Sequence, residues 1–84
     1  MVQEQMVDKA VSATHKLILY DDHGCELRVY RALLPEMHSL CIGHLVKSME
    51  KDGYVDVYVG SLVECSERKS KWEAEGLRLE VSAI

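Results

Sequence analysis

One stretch of ten residues constrains this chain more than any other. His15-Lys-Leu-Ile-Leu-Tyr20 is a β-favouring run, and Asp21-Asp-His-Gly24 stops it at once. Three adjacent apolar residues, Leu17, Ile18 and Leu19, predict a strand covered on both sides. Gly24 provides a position for positive φ, and either aspartate is able to cap a following helix. A loop rooted in a rigid strand holds its side chains still, so Asp21 and Asp22 are the first candidates for binding.

The rest of the chain supplies elements to cover that strand. Cys25–Leu34 reads as a short helix, with Leu27, Tyr30 and Leu34 at i, i+3 and i+7. Pro35, the only proline, ends it and suits the first turn of the next helix. Over Pro35–Asp52, Met37, Leu40, Cys41, His44, Leu45, Ser48 and Met49 form one helical stripe, predicted to be core. Gly53 is the natural stop. Tyr54–Val59 alternates, with Val55, Val57 and Val59 on an apolar face and Tyr54, Asp56 and Tyr58 on a wet one. Ser61-Leu-Val-Glu64 is a capping box opening a helix to about Glu75, anchored by Leu62, Cys65 and Trp72 and ended by Gly76. Leu77–Val81 alternates again. The expected order is β-α-α-β-α-β, an α+β fold with a three-stranded antiparallel sheet and three helices packed on one face. Residues 1–14 have no clean period and are expected to be a flexible N-terminal tail, with a helix around Val2–Val11, before a core domain at 15–84.

Eighty-four residues allow one small domain, and 48% hydrophobic with 29% charged residues is ordinary globular composition. A net charge of -4 argues against nucleic acid as a partner, and no run is apolar enough to span a membrane. Charged residues at the start do not fit a secretory leader. Three cysteines without a C-x-x-C pair fit a reducing compartment, with Cys41 and Cys65 expected as small buried side chains. The expected location is the cytoplasm, or a plastid stroma.

No complete catalytic motif is present, and the expectation is a protein that is not an enzyme and uses no cofactor. His38, Cys41 and His44 invite a metal reading, but positions 38 and 44 lie about 120° apart around a helix and do not converge. Asp21, Asp22, His23 and Cys25 match no standard metal site in their spacing. Cys25 with His23 is the only thiol–imidazole neighbour pair, and two adjacent aspartates would raise that thiol's pKa rather than activate it. An acidic turn repels phosphate and attracts a cation: a lysine, an arginine, or a free α-amino group.

From His15 onward, about 70 of the 84 residues, the chain resembles the ClpS family, the small adaptors of AAA+ Clp proteases. The resemblance is carried by His15-Lys-Leu-Ile-Leu-Tyr-Asp-Asp22, similar to the family's Y-K-V-x-L-x-N-D-D strand and turn. Val29-Tyr-Arg-Ala-Leu-Leu34 and Met49-Glu-Lys-Asp-Gly53 add to it, the latter placed like the family's V-H-x-x-G. Val63-Glu-Cys-Ser-Glu-Arg-Lys69 and Gly76-Leu-Arg-Leu-Glu-Val81 resemble the last helix and strand. The order and spacing of the segments carry the likeness more than any one of them.

The resemblance implies an adaptor that holds the first residue of a client protein, an N-degron, and delivers the client to a ClpA- or ClpC-type AAA+ unfoldase for degradation by ClpP. By position, Asp21 takes the place of the family's asparagine and Asp22 that of its first aspartate. Glu50 stands where a histidine on the long helix is expected. Leu27, Val46, Met49 and Leu79 would line the apolar pocket for the client's first side chain, with His23 and Cys25 at its rim. Glu64, Glu67 and Arg68 would lie on the unfoldase-docking surface, and the tail would be offered to the unfoldase pore. Asp for Asn and Glu for His make this site more acidic than the family's, and with Tyr20-Asp-Asp22 at the turn the chain most resembles cyanobacterial or plastid members. An alternative is an interaction domain of this fold that docks on a Clp complex and regulates it without reading N-degrons. A small thiol- or metal-dependent enzyme is the third alternative.

Overall fold

The computed structural model describes residues 13–22 and 24–84. Its elements follow the expected order: β1 (His15–Tyr20), α1 (Glu26–Leu33), α2 (Ser39–Asp52), β2 (Tyr54–Gly60), α3 (Leu62–Glu73) and β3 (Arg78–Ala83). The strands form one antiparallel sheet in the order β2-β1-β3. Residues 1–12 of the expected tail, and His23, lie outside the described residues. Thr14, just before β1, is tied to both outer strands' ends: its amide donates to the Gly60 carbonyl (3.0 Å), and its carbonyl accepts from the Ile84 amide (3.0 Å).

β1 is central because its apolar run serves both neighbours. Leu17 faces Val81 and Leu19 faces Leu79 across the β1–β3 ladder, all on the side the helices cover. The strand is covered on that side only. Ile18, which the run of three predicts to be enclosed, falls on the opposite face opposite Asp56 and Glu80 and is half-buried. That open face also carries Tyr20 and Tyr54, whose rings are 6.4 Å apart, and a Lys16–Asp56 ion pair (3.7 Å).

β2 departs from simple alternation. Between Leu17 and Ile18 of β1 its register advances two residues, from Tyr58 to Asp56, so Val57 is the extra residue of a bulge. Beyond the bulge the faces exchange. Val59, expected inside, is exposed opposite Lys16, and Tyr58, expected outside, turns toward α3, where the Arg68 guanidinium lies 3.8 Å from its ring centre.

Both early helices present a different stripe from the one expected. In α1 the buried residues are Val29, Ala32 and Leu33, while Leu27 (77% exposed) and Leu34 lie outside. In α2 they are Ile42, Val46 and Met49, with Leu45 partly buried, whereas Leu40 (71% exposed), Cys41 and His44 face solvent. Each helix contains two overlapping stripes of period 3.6, and the one bearing β-branched Val29, Ile42 and Val46 is buried in the core cluster. The long helix also starts later than Pro35. Residues 34–37 form a turn, and His38 is the N-cap, its Nδ1 accepting from the Leu40 amide (3.2 Å). Neither aspartate caps α1; Cys25 stands at its N-cap without a side-chain bond, and its amide donates to the Asp22 carbonyl (3.0 Å).

The capping box forms as expected, with Ser61 Oγ accepting from the Glu64 amide (3.1 Å) and Glu64 Oε1 from the Ser61 amide (3.0 Å). Cys65 and Trp72 of α3 reach the core, but Leu62, the expected third anchor, is exposed. Leu17, Leu19, Val29, Leu33, Ile42, Met49, Cys65 and Trp72 fill the space between sheet and helices. No helix among the described residues is long and apolar enough to cross a membrane.

Candidate functional site

The acidic turn is fixed by the sheet and by the far end of α2. β1 delivers Tyr20 opposite Tyr54 and Arg78, and the next amide, that of Asp21, donates to the Gly53 carbonyl (2.9 Å). Gly53 is there because α2 ends in a left-handed C-cap, φ 84°, with its own amide bonded back to Met49 (2.7 Å). A single hydrogen bond thus sets the backbone of Asp21 against the end of the helix that carries Glu50, three residues before the cap.

Beneath the turn lies Cys25. Its thiol is 3.9 Å from Asp21 Oδ1 and 3.9 Å from Met49 Sδ, so one buried sulfur links the acidic turn to the core residue preceding Glu50. Asp21, Asp22 and Glu50 are all exposed. Among the described residues, none of the three carboxylates takes part in an ion pair. Arg78 stands opposite Tyr20, its guanidinium 5.5 Å from the centre of that ring, and it makes no ion pair with these acids.

The expected apolar residues divide. Cys25, Val46, Met49 and Leu79 belong to one closed core cluster, with Met49 1% exposed. Leu27 is not with them and stands on the outer surface of α1. The space directly under the acids is therefore filled by protein side chains. Met49 is the adaptable member, since a thioether with three rotatable bonds repacks more readily than a branched side chain. His23, the other expected rim residue, is outside the described residues.

The residues expected to dock an unfoldase are partly occupied at home. Glu64 is committed to the capping box, and its carboxyl is held below the usual range, first by the bond from the Ser61 backbone. Arg68 stacks on Tyr58 and lies 3.7 Å from Glu36, which in turn accepts from Lys71 at 2.8 Å. Glu67, Arg68, Lys71 and Glu36 surround a depression of about 200 Å³ on the outside of α3. Exposed Leu62 and Val63 add apolar surface at the start of the same helix.

A second depression, of about 320 Å³, runs between α1 and α2 and is lined by Tyr30, Ser39, Leu40, Gly43, His44 and Lys47. The helical pattern gives no sign of it, because that pattern assigns Leu40 and His44 to the core. The available signal was Gly43, a glycine inside a helix, where it costs roughly 1 kcal/mol relative to alanine. Its reason is steric: a Cβ at position 43 would lie 3.3 Å from Tyr30 Oη.

Among the described residues no group of three or more His, Cys, Asp or Glu side chains is arranged to hold a metal ion. Cys65, a buried residue of α3, has its thiol pushed up by burial, away from the reactive range. No protein-family model matches the chain, and a search of curated proteins finds no match to its sequence.

Proposed function

We propose that the domain is a non-enzymatic adaptor of the kind its sequence resembles, holding the free N-terminus of a client protein at Asp21, Asp22 and Glu50 and passing the client to an AAA+ unfoldase of the ClpA or ClpC type. The observation that carries the reading is the Asp21 amide–Gly53 carbonyl bond, which draws the acidic turn to the Glu50 end of α2 while no described cation answers these acids. An ammonium group at the mouth of the turn has carboxylates to receive its three protons. With Cys25 and Met49 filling the space below, a client's first side chain enters there only when Met49 moves aside. Glu67 and exposed residues of α3 are the surface left for the unfoldase.

Calorimetric titration with peptides that differ only in their first residue tests this reading. Free N-termini bind, acetylated ones do not, and Asp21→Ala or Glu50→Ala weakens binding by about fivefold or more, as loss of a charged hydrogen bond implies. Equal affinity for acetylated and free peptides would overturn it.

The closed packing of Val46, Met49 and Leu79 favours a second reading, a domain that docks on a Clp complex through α3 and regulates it without holding an N-degron. Leu62 and Val63, exposed beside Glu67, are its support. In that case Asp21→Ala and Glu50→Ala leave capture of the Clp partner unchanged, and substitutions along α3 abolish it.

A further inference from the structure

The residues that the helical pattern promised to the core, and that the fold left outside, surround the second depression. Leu40 and the ring of Tyr30 give it apolar walls, and Gly43 lowers its floor to backbone. Leu34, one turn beyond Tyr30, continues the apolar edge at the end of α1. On the α2 side its lip carries the positive charge of Lys47 beside the imidazole of His44, and no acid lines it. Among the described residues neither is in an ion pair. In a chain of net charge -4, an unanswered basic lip against exposed leucines is a local exception.

From these features we infer that the α1–α2 groove docks an acidic amphipathic helix of a partner protein. Its apolar face would rest on Leu40, Leu34 and Tyr30, and its carboxylates would meet His44 and Lys47, with the hydroxyls of Ser39 and Tyr30 as further donors. Charge complementarity selects an acidic partner over a basic one. From Leu40 to Lys47 is seven residues, about 10.5 Å of helix axis, which matches two turns of a partner and two or three anchors at helical spacing. An apolar wall as exposed as Leu40 suits a peptide laid along the surface better than an enclosed small molecule. The groove is separate from the acids of the turn, so this inference does not rest on the ammonium reading.

The test uses the full chain, labelled with ¹⁵N, and a fourteen-residue peptide with leucines at i, i+4 and i+7 and glutamates elsewhere on its surface. Both peptide ends are blocked, so it offers no free amino group to the acidic turn. Amide shifts confined to Tyr30, Leu34 and residues 39–47 are expected. A peptide with lysine in place of each glutamate binds at least about tenfold more weakly, Lys47→Glu weakens the acidic peptide about fivefold, and Leu40→Ser does the same. Leu40 is largely exposed, so the serine variant keeps its fold. Equal binding of the two peptides, shifts elsewhere, no shift at millimolar peptide, or self-association of the chain through these same residues overturns the inference.

Discussion

Replacing Met49 by alanine tests the packing beneath the acids and the site above it in one variant. The side chain is 1% exposed, its sulfur touches that of Cys25, and it precedes Glu50. Truncation removes three heavy atoms from a closed cluster. At about 0.8 kcal/mol for each buried methylene-sized group the transfer part is roughly 2.4 kcal/mol, and the residual cavity raises the total to about 3 kcal/mol. A domain of this length has roughly 4–13 kcal/mol of stability in all, so the variant remains folded at low temperature. The melting temperature falls by ~12–24 °C. Urea titration followed by the fluorescence of buried Trp72 reads the loss, and Met49→Leu, which keeps most of the volume, costs less than about 1.5 kcal/mol. The same truncation opens space under Asp21. If a client's first side chain enters there, Met49→Ala gains affinity for peptides beginning with leucine or phenylalanine relative to alanine. A loss below about 1 kcal/mol would show that Met49 does not seal this core. A folded variant with unchanged first-residue preference would show that the side chain does not go beneath the turn.

Ser61→Ala removes the oxygen that accepts from the Glu64 amide and costs about 1 kcal/mol, read as a melting temperature lower by ~4–8 °C; Ser61→Thr recovers most of it. Gly53→Ala forces a side chain into φ 84° and costs about 1–2 kcal/mol, and hydrogen exchange at the Asp21 amide, which bonds to Gly53, speeds up more than at the α3 amides. The bond from Lys71, first among its causes, holds the Glu36 carboxyl below its ordinary 4.5. A carboxyl depressed in the folded state adds stability that is complete above its unfolded value and disappears as pH falls through the folded one, so melting temperature drops below about pH 4.5. Glu36→Gln flattens that part of the profile and lowers stability at pH 7 by at most about 1 kcal/mol, the pair being partly exposed.

Element types and order were legible because their signals are local. The capping box at Ser61–Glu64, the glycine stop at Gly53 and the alternation of Leu77–Val81 each act within a few residues, and each forms as the sequence implies. Helix phase was not legible. Leu40-Cys-Ile42 and Leu45-Val46 put apolar residues on adjacent positions, so two stripes offset by one or two residues satisfy the same period. Choosing between them needs the surface that the packed core presents, to which Leu17, Leu19, Cys65 and Trp72 contribute from elements remote in sequence. The reversal of Val59 and Tyr58 escaped for a similar reason: a bulge exists only relative to a partner strand, and the run Tyr54–Gly60 alone contains no mark of it.

The same distinction explains what the acidic end disclosed. That Asp21 and Asp22 close a strand was written in adjacent residues, and the structure places both at the surface. That the end of α2 would stand beside them depended on Gly53, whose left-handed cap turns its carbonyl toward the Asp21 amide. The resemblance supplied the rest of the expectation, including an apolar pocket, yet Val46 and Leu79 lie in the closed core together with Met49, which the helical pattern already assigns there. Rotating α2 to bury Ile42 and Val46 necessarily turns Leu40 and His44 outward. The open groove between the helices is therefore a consequence of helix phase, whereas Met49 is core in either phase and fills the space beside Cys25 regardless.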